Sequence, residues 1–125
     1  MRRALAAMLL ALVASPAFAD TVDVLKKNTL TLTDAMGGVT TLLLSDEGKM
    51  EQTDPTGAWA AGVWAMEDRG LCWTARGKAG LCMPLEADKT VGDTWEVKGP
   101  TGRIVWTARI EEGRADFAKF HLDPQ

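Results

Sequence analysis

Apolar and polar residues alternate with a period of two along most of this chain. The pattern begins at Thr29-Leu30-Thr31-Leu32-Thr33, where the leucines fall on one face and the threonines on the other. That is the pattern of a half-buried strand. Asp34-Ala35-Met36-Gly37-Gly38 then supplies a turn, because glycine reaches the positive φ that tight reversals need, and residues 39–45 return as a second strand. Asp46-Glu47-Gly48 leads into a strand at 49–53, and Asp54-Pro55-Thr56-Gly57 breaks the chain again, since proline has no amide hydrogen to give a ladder. Further strands follow at 58–66, 71–75, 81–85, 94–98 and 103–110, divided by Glu67-Asp68-Arg69-Gly70, Arg76-Gly77-Lys78 and Gly99-Pro100-Thr101-Gly102. Turn signals recurring roughly every 8–12 residues are the rhythm of an antiparallel sandwich or barrel.

Two segments fit more than one element. Residues 21–27 read either as an edge strand or as a helical turn that points Val22 and Leu25 inward. Residues 115–122 fit a short helix through Phe117 and Phe120, or a last strand through Ala118, Phe120 and Leu122. The expected fold is all-β: one antiparallel meander of about eight strands, forming a small lipocalin-like barrel or a sandwich.

The N-terminus adds a compartment. Arg2 and Arg3, an apolar run from Ala4 to Val13, and Ala17-Phe18-Ala19 before Asp20 have the three parts of a secretory signal, so residues 1–19 are expected to be removed and 20–125 to form one domain. No apolar run reaches the length of about 20 residues that a membrane span needs. Without Arg2 and Arg3 the 14 basic residues fall to 12 against 17 acidic, a balance of −5, which argues against nucleic acid and anionic membrane as partners. The expected location is periplasmic or secreted. A domain of this size gains from a covalent staple, and in an oxidising compartment Cys72 and Cys82 supply one. A loop of that size contributes about 2.5–3 kcal/mol if the bond acts by restricting the unfolded chain.

With Gly77 at the centre of the hairpin, counting outward sets Ala75 opposite Ala79, Trp73 opposite Leu81 and Cys72 opposite Cys82. Cysteines directly opposed on neighbouring antiparallel strands lie within bonding range. Leu71, Trp73, Ala75, Leu81, Met83 and Leu85 then share the other face, which is expected to be core. The domain has five tryptophans and no tyrosine. Most should be core, and the two in the alanine- and glycine-rich stretch, Trp59 and Trp64, are the candidate ligand-binding residues, because small neighbours leave room beside an indole.

No catalytic residue is assigned. Ser45 and His121 are the sole serine and histidine outside the signal, which leaves a serine triad without an inventory. The carboxylates Glu67 and Asp68, or Glu111 and Glu112, fall in turns and strand ends where solvation explains them. No metal site and no cofactor are expected: the cysteine spacing is not that of a zinc site, and Met36, Met50, Met66 and Met83 are spread over separate strands, which suits core packing better than copper. Arg69, Arg76 and Lys78 sit at hairpin tips, placed to meet an anionic ligand or simply to be solvated.

Asn28-Thr29-Leu30, Asp46-Glu47-Gly48, Gly57-Ala58-Trp59, Gly62-Val63-Trp64, Leu71-Cys72 and Leu81-Cys82, in that order, resemble the pattern of a group of small exported bacterial proteins of unknown function. Arg69-Gly70 and Met83 depart from it. The resemblance implies a periplasmic β-rich domain and no activity. In size and architecture the chain is also similar to the periplasmic metalloprotease inhibitors. Three non-enzymatic readings follow: a binding module for a small apolar ligand or an envelope protein, an inhibitor of a secreted protease inserting the segment from Asp20, and a structural or stress-related envelope protein. A weak hydrolase working through exposed carboxylates is the enzymatic rival.

Overall fold

The computed structural model of the chain describes residues 16–117. A helix, α1 (Pro16–Lys27), precedes eight strands: β1 (Thr29–Asp34), β2 (Val39–Leu44), β3 (Lys49–Thr53), β4 (Trp59–Glu67), β5 (Gly70–Ala75), β6 (Leu81–Met83), β7 (Thr94–Lys98) and β8 (Ile104–Glu111). All pairings are antiparallel, and the strands form one sheet in the order β6-β5-β4-β3-β2-β1-β8-β7. The sheet curls into a nearly closed barrel: Trp73 on β5 and Trp106 on β8, second and seventh in that order, bring their ring centroids within 5.9 Å. β6 and β7 remain its two edges.

Register follows from alternation. Leu30 pairs with Leu42 and Ile110, Leu44 with Met50, and Trp64 with Trp73, so one side chain in two from each strand points inward. Leu30, Leu32, Leu42, Leu44, Met50, Leu71, Met83 and Ile110 are all essentially inaccessible to solvent. The interior is thus occupied by side chains, as expected of a barrel of eight strands. Gly62 lets β4 and β5 run close, since a Cβ there would stand 2.0 Å from the Thr74 carbonyl oxygen. A bulge between Val97 and Lys98, where Val97 pairs with Trp106 but Lys98 with Ile104, bends the β7–β8 ribbon near its tip.

Residues 21–27 form helix rather than edge strand. Val22 and Leu25, three apart, face the interior, while Asp23 and Lys27 face solvent. Buried Thr21 pins the helix to the chain after β6: its hydroxyl donates to the Glu86 carbonyl at 2.9 Å and accepts from the Lys89 amide at 3.2 Å. The helix closes the barrel end where β1 starts and β2 finishes. Beyond β8 the chain turns back along β1, with the Thr29 hydroxyl donating to the Gly113 carbonyl and accepting from the Ala115 amide. Residues 115–117 are neither helix nor strand, and Phe117 is buried. Residues 1–15, which carry most of the expected signal, and 118–125, including Phe120, His121 and Leu122, lie outside the described residues.

The cysteine hairpin forms in the expected register, with Trp73 opposite Leu81 and Cys72 bonded to Cys82 across a Cα separation of 4.0 Å. Its core assignment needs one correction. Leu71, Trp73, Ala75, Met83 and Leu85 are buried, but Leu81 is 45% exposed, because β6 is an edge and, among the described residues, no strand lies beyond it. β6 is also shorter than the expected 81–85, ending before Pro84. Among the methionines, Met50 and Met83 pack in the core as expected, whereas Met36 stands almost fully exposed at a turn and Met66 is partly exposed.

Candidate functional site

A cleft of about 740 Å³ opens between the two ends of the strand order. One wall is β6 and the residues after it, Leu81, Cys82, Pro84 and Leu85, and the other is the end of β7 and its turn, Lys98, Gly99 and Pro100. The β4–β5 hairpin, Met66 to Gly70, forms the third side. Each element arrives for a local reason. Pro84 and Pro100 stop β6 and β7, since neither can give an amide hydrogen to a further ladder. Gly70, at φ +109°, closes the β4–β5 hairpin against β6, where a Cβ would meet the Met83 carbonyl oxygen at 2.2 Å.

The lining is apolar below and charged at the mouth. Leu81 and Met66 are inward-facing by register, yet partly exposed because the barrel stops beside them. Glu67, Asp68, Arg69 and Lys98 supply two charges of each sign at the rim. The volume falls within the range of about 300–1,000 Å³ typical of small-molecule sites. No pair of these groups forms a nucleophile and base arrangement.

The tryptophans divide. Trp73 and Trp95 are buried, and neither indole N–H has a hydrogen-bond partner among the described residues, a loss of about 1–3 kcal/mol each that the rings offset by their burial. Trp64 also faces inward, donates its indole N–H to the Ser45 carbonyl at 2.8 Å and lies under the Lys26 ammonium at 5.7 Å. Trp59 is on the opposite face of β4, its indole N–H on Glu51 Oε1 at 2.9 Å. The structure therefore does not bring Trp59 and Trp64 together: an odd separation of five on one strand puts them on opposite faces. Neither lines the main cleft, though Trp64 borders a smaller groove of about 240 Å³ that runs over the disulfide between Val63, Thr74 and Leu81.

The other sequence candidates are scattered. Arg69 reaches both clefts. Lys78 bonds Asp54 Oδ2 at 3.5 Å and ties two turns together, while Glu111 pairs with Arg109 at 2.9 Å. Among the described residues one mixed cluster has metal-ligand chemistry: a Glu67 carboxylate oxygen and the sulfurs of Cys72 and Cys82 lie within 4.8 Å of one another. In the disulfide those sulfurs are not thiolates. What the sequence reading missed is the set Met66, Leu81, Leu85, Pro84 and Pro100; the prolines bounding β6 and β7 were the signal, since they mark sheet edges.

No helix among the described residues is long and apolar enough to cross a membrane. No protein-family model matches this chain, and neither the curated proteins nor the solved structures contain a match to it.

Proposed function

We propose that this chain is an exported, non-enzymatic binding module whose cleft between β6 and β7 takes a small apolar ligand. The observation that carries this is Leu81: a leucine in an inward register position, left open to solvent beside Met66 and Leu85 in a cleft of ligand size. Export is supported by the basic, apolar and Ala-x-Ala segments of residues 1–19 and by the disulfide, which persists in oxidising compartments such as the periplasm. The test uses dodecanoate as the probe, read by displacement of anilinonaphthalene sulfonate. Leu81→Asp weakens binding at least about tenfold, the loss expected when one leucine's burial is forfeited, while Trp59→Phe leaves it unchanged. Equal binding by Leu81→Asp and the parent chain overturns the reading.

A second reading has its own observation. Among the described residues the outer backbone edge of β7 faces no strand, so an extended segment of an envelope protein is able to pair with it and lay its side chains into the same cleft. Competition between such a peptide and dodecanoate distinguishes a shared cleft from separate sites. The inhibitor reading loses its motive, since Asp20 to Asp23 lie within α1 and Thr21 and Val22 are buried.

A further inference from the structure

We propose that the reduced form of the cysteine hairpin is a binding site for a divalent cation of the zinc class, held by the Cys72 and Cys82 thiolates and the Glu67 carboxylate, with the fourth position open to water. Three neighbouring strands deliver these groups to one face. Cys72 on β5 is directly opposite Cys82 on β6 and Ala65 on β4, and Glu67 is two residues beyond Ala65, so it shares the outer face with both sulfurs. Their ligand atoms already lie within 4.8 Å of one another. Tetrahedral zinc holds sulfur at about 2.3 Å and carboxylate oxygen at about 2.0–2.2 Å, which separates two sulfurs by about 3.8 Å, a spacing side-chain rotation supplies without moving strands.

Access and charge agree. Cys72 is buried, Cys82 half-buried and Glu67 exposed, so a cation reaches the site from the Glu67 side, and no hydrogen bond or ion pair holds the Glu67 carboxylate among the described residues. Two thiolates and one carboxylate around a dication leave one negative charge, and Arg69 in the same outer groove provides the compensating positive one. Cys72 Sγ lies 3.8 Å from the Gly70 carbonyl oxygen, which gives the reduced thiol an acceptor until metal displaces its proton.

The chemistry balances through thiol–disulfide exchange. A dithiol reductant gives two electrons and two protons to the Cys72–Cys82 bond and is itself oxidised to a disulfide. The cation then displaces both thiol protons on binding. A disulfide oxidant runs the exchange backwards: it takes two electrons from the Cys72 and Cys82 sulfurs and two protons from water, is itself reduced to a dithiol, and leaves the bridge closed and the metal released. The site uses the outer face of the hairpin; Glu67 and Cys82 also border the apolar cleft, but neither the metal ligation nor its test depends on an apolar ligand entering there.

The test is a Co²⁺ titration of the phosphine-reduced, desalted protein under anaerobic conditions, followed by Zn²⁺ displacement. The reduced parent binds one equivalent with thiolate-to-cobalt charge-transfer bands, and the oxidised protein binds none. Glu67→Gln keeps the bands and weakens binding at least about tenfold, the lower figure for loss of even an outer-shell partner. Because the oxidised Glu67→Gln variant retains its disulfide, its circular dichroism reports that the fold is intact. Absence of charge-transfer bands in the reduced parent, or equal affinity of Glu67→Gln and parent, overturns the proposal.

Discussion

Asp54 shows how much one side chain organises at a turn. Its Oδ1 accepts from the Thr56 hydroxyl at 2.6 Å, the Thr56 amide at 2.9 Å and the Ala58 amide at 3.0 Å, while Oδ2 faces Lys78. The Thr56 hydroxyl first, then the backbone amides, hold its pKa down to about 2 from 3.8. A carboxyl depressed in the folded state stabilises that state above its unfolded pKa. The contribution is complete above about pH 4, declines as pH falls toward about 2 and is absent below that. Thr56→Ala is expected to raise the Asp54 midpoint toward 3.8 in a carbon-13 NMR titration and to flatten the loss of stability across that window. A midpoint identical in both proteins contradicts this. Asp-Pro-x-Gly was legible in the sequence as a turn, but the triple acceptor role of its aspartate was not, because it depends on where Ala58 and Lys78 return. Leu81 carries the same lesson in apolar form. Alternation predicts its face correctly, whereas its exposure comes from the edge position of β6 among the described strands.

At the scale of elements, strands with clean period-two alternation were readable almost to the residue: β3 and β7 fall at 49–53 and 94–98 as expected, and β1, β2 and β8 differ only at their ends. Helix α1 was not, since Val22 and Leu25 fit a single helical turn while the same short segment suited an edge strand. What decides it is tertiary: Thr21 finds partners on the chain after β6, and Leu25 enters the barrel end. Removing that plug has a defined effect. Leu25→Ala is expected to cost about 2–5 kcal/mol, read as a lowered midpoint in urea with an unchanged slope. A loss below about 1 kcal/mol shows that α1 does not contribute to the core. The expected cleavage point after Ala19 falls inside this helix.

The whole molecule is a meander that curls almost shut. Eight strands suffice to fill the interior with leucine, methionine and tryptophan, and the edges β6 and β7 are left facing each other across a cleft instead of a ladder. The number of strands and the disulfide were legible because both are local. The cleft was not, because residues 66–70, 80–85 and 98–100 meet only when the sheet closes, and sequence attention therefore settled on Trp59 and Trp64, which the pleat sends to opposite faces. The disulfide fastens the edge strand that forms one wall, so staple and cleft are parts of one design. This seam is where the proposed apolar ligand enters. The most direct measurement is a nitrogen-15 NMR titration of the protein with dodecanoate, following every backbone amide and the five indole N–H signals. Binding at the seam shifts Met66 to Gly70, Gly80 to Met83 and Lys98 to Gly99, and leaves the Trp59 indole and the Asp34 to Gly38 turn unmoved. Shifts centred on Trp59 and Glu51, or none along the β6 and β7 edges, contradict it.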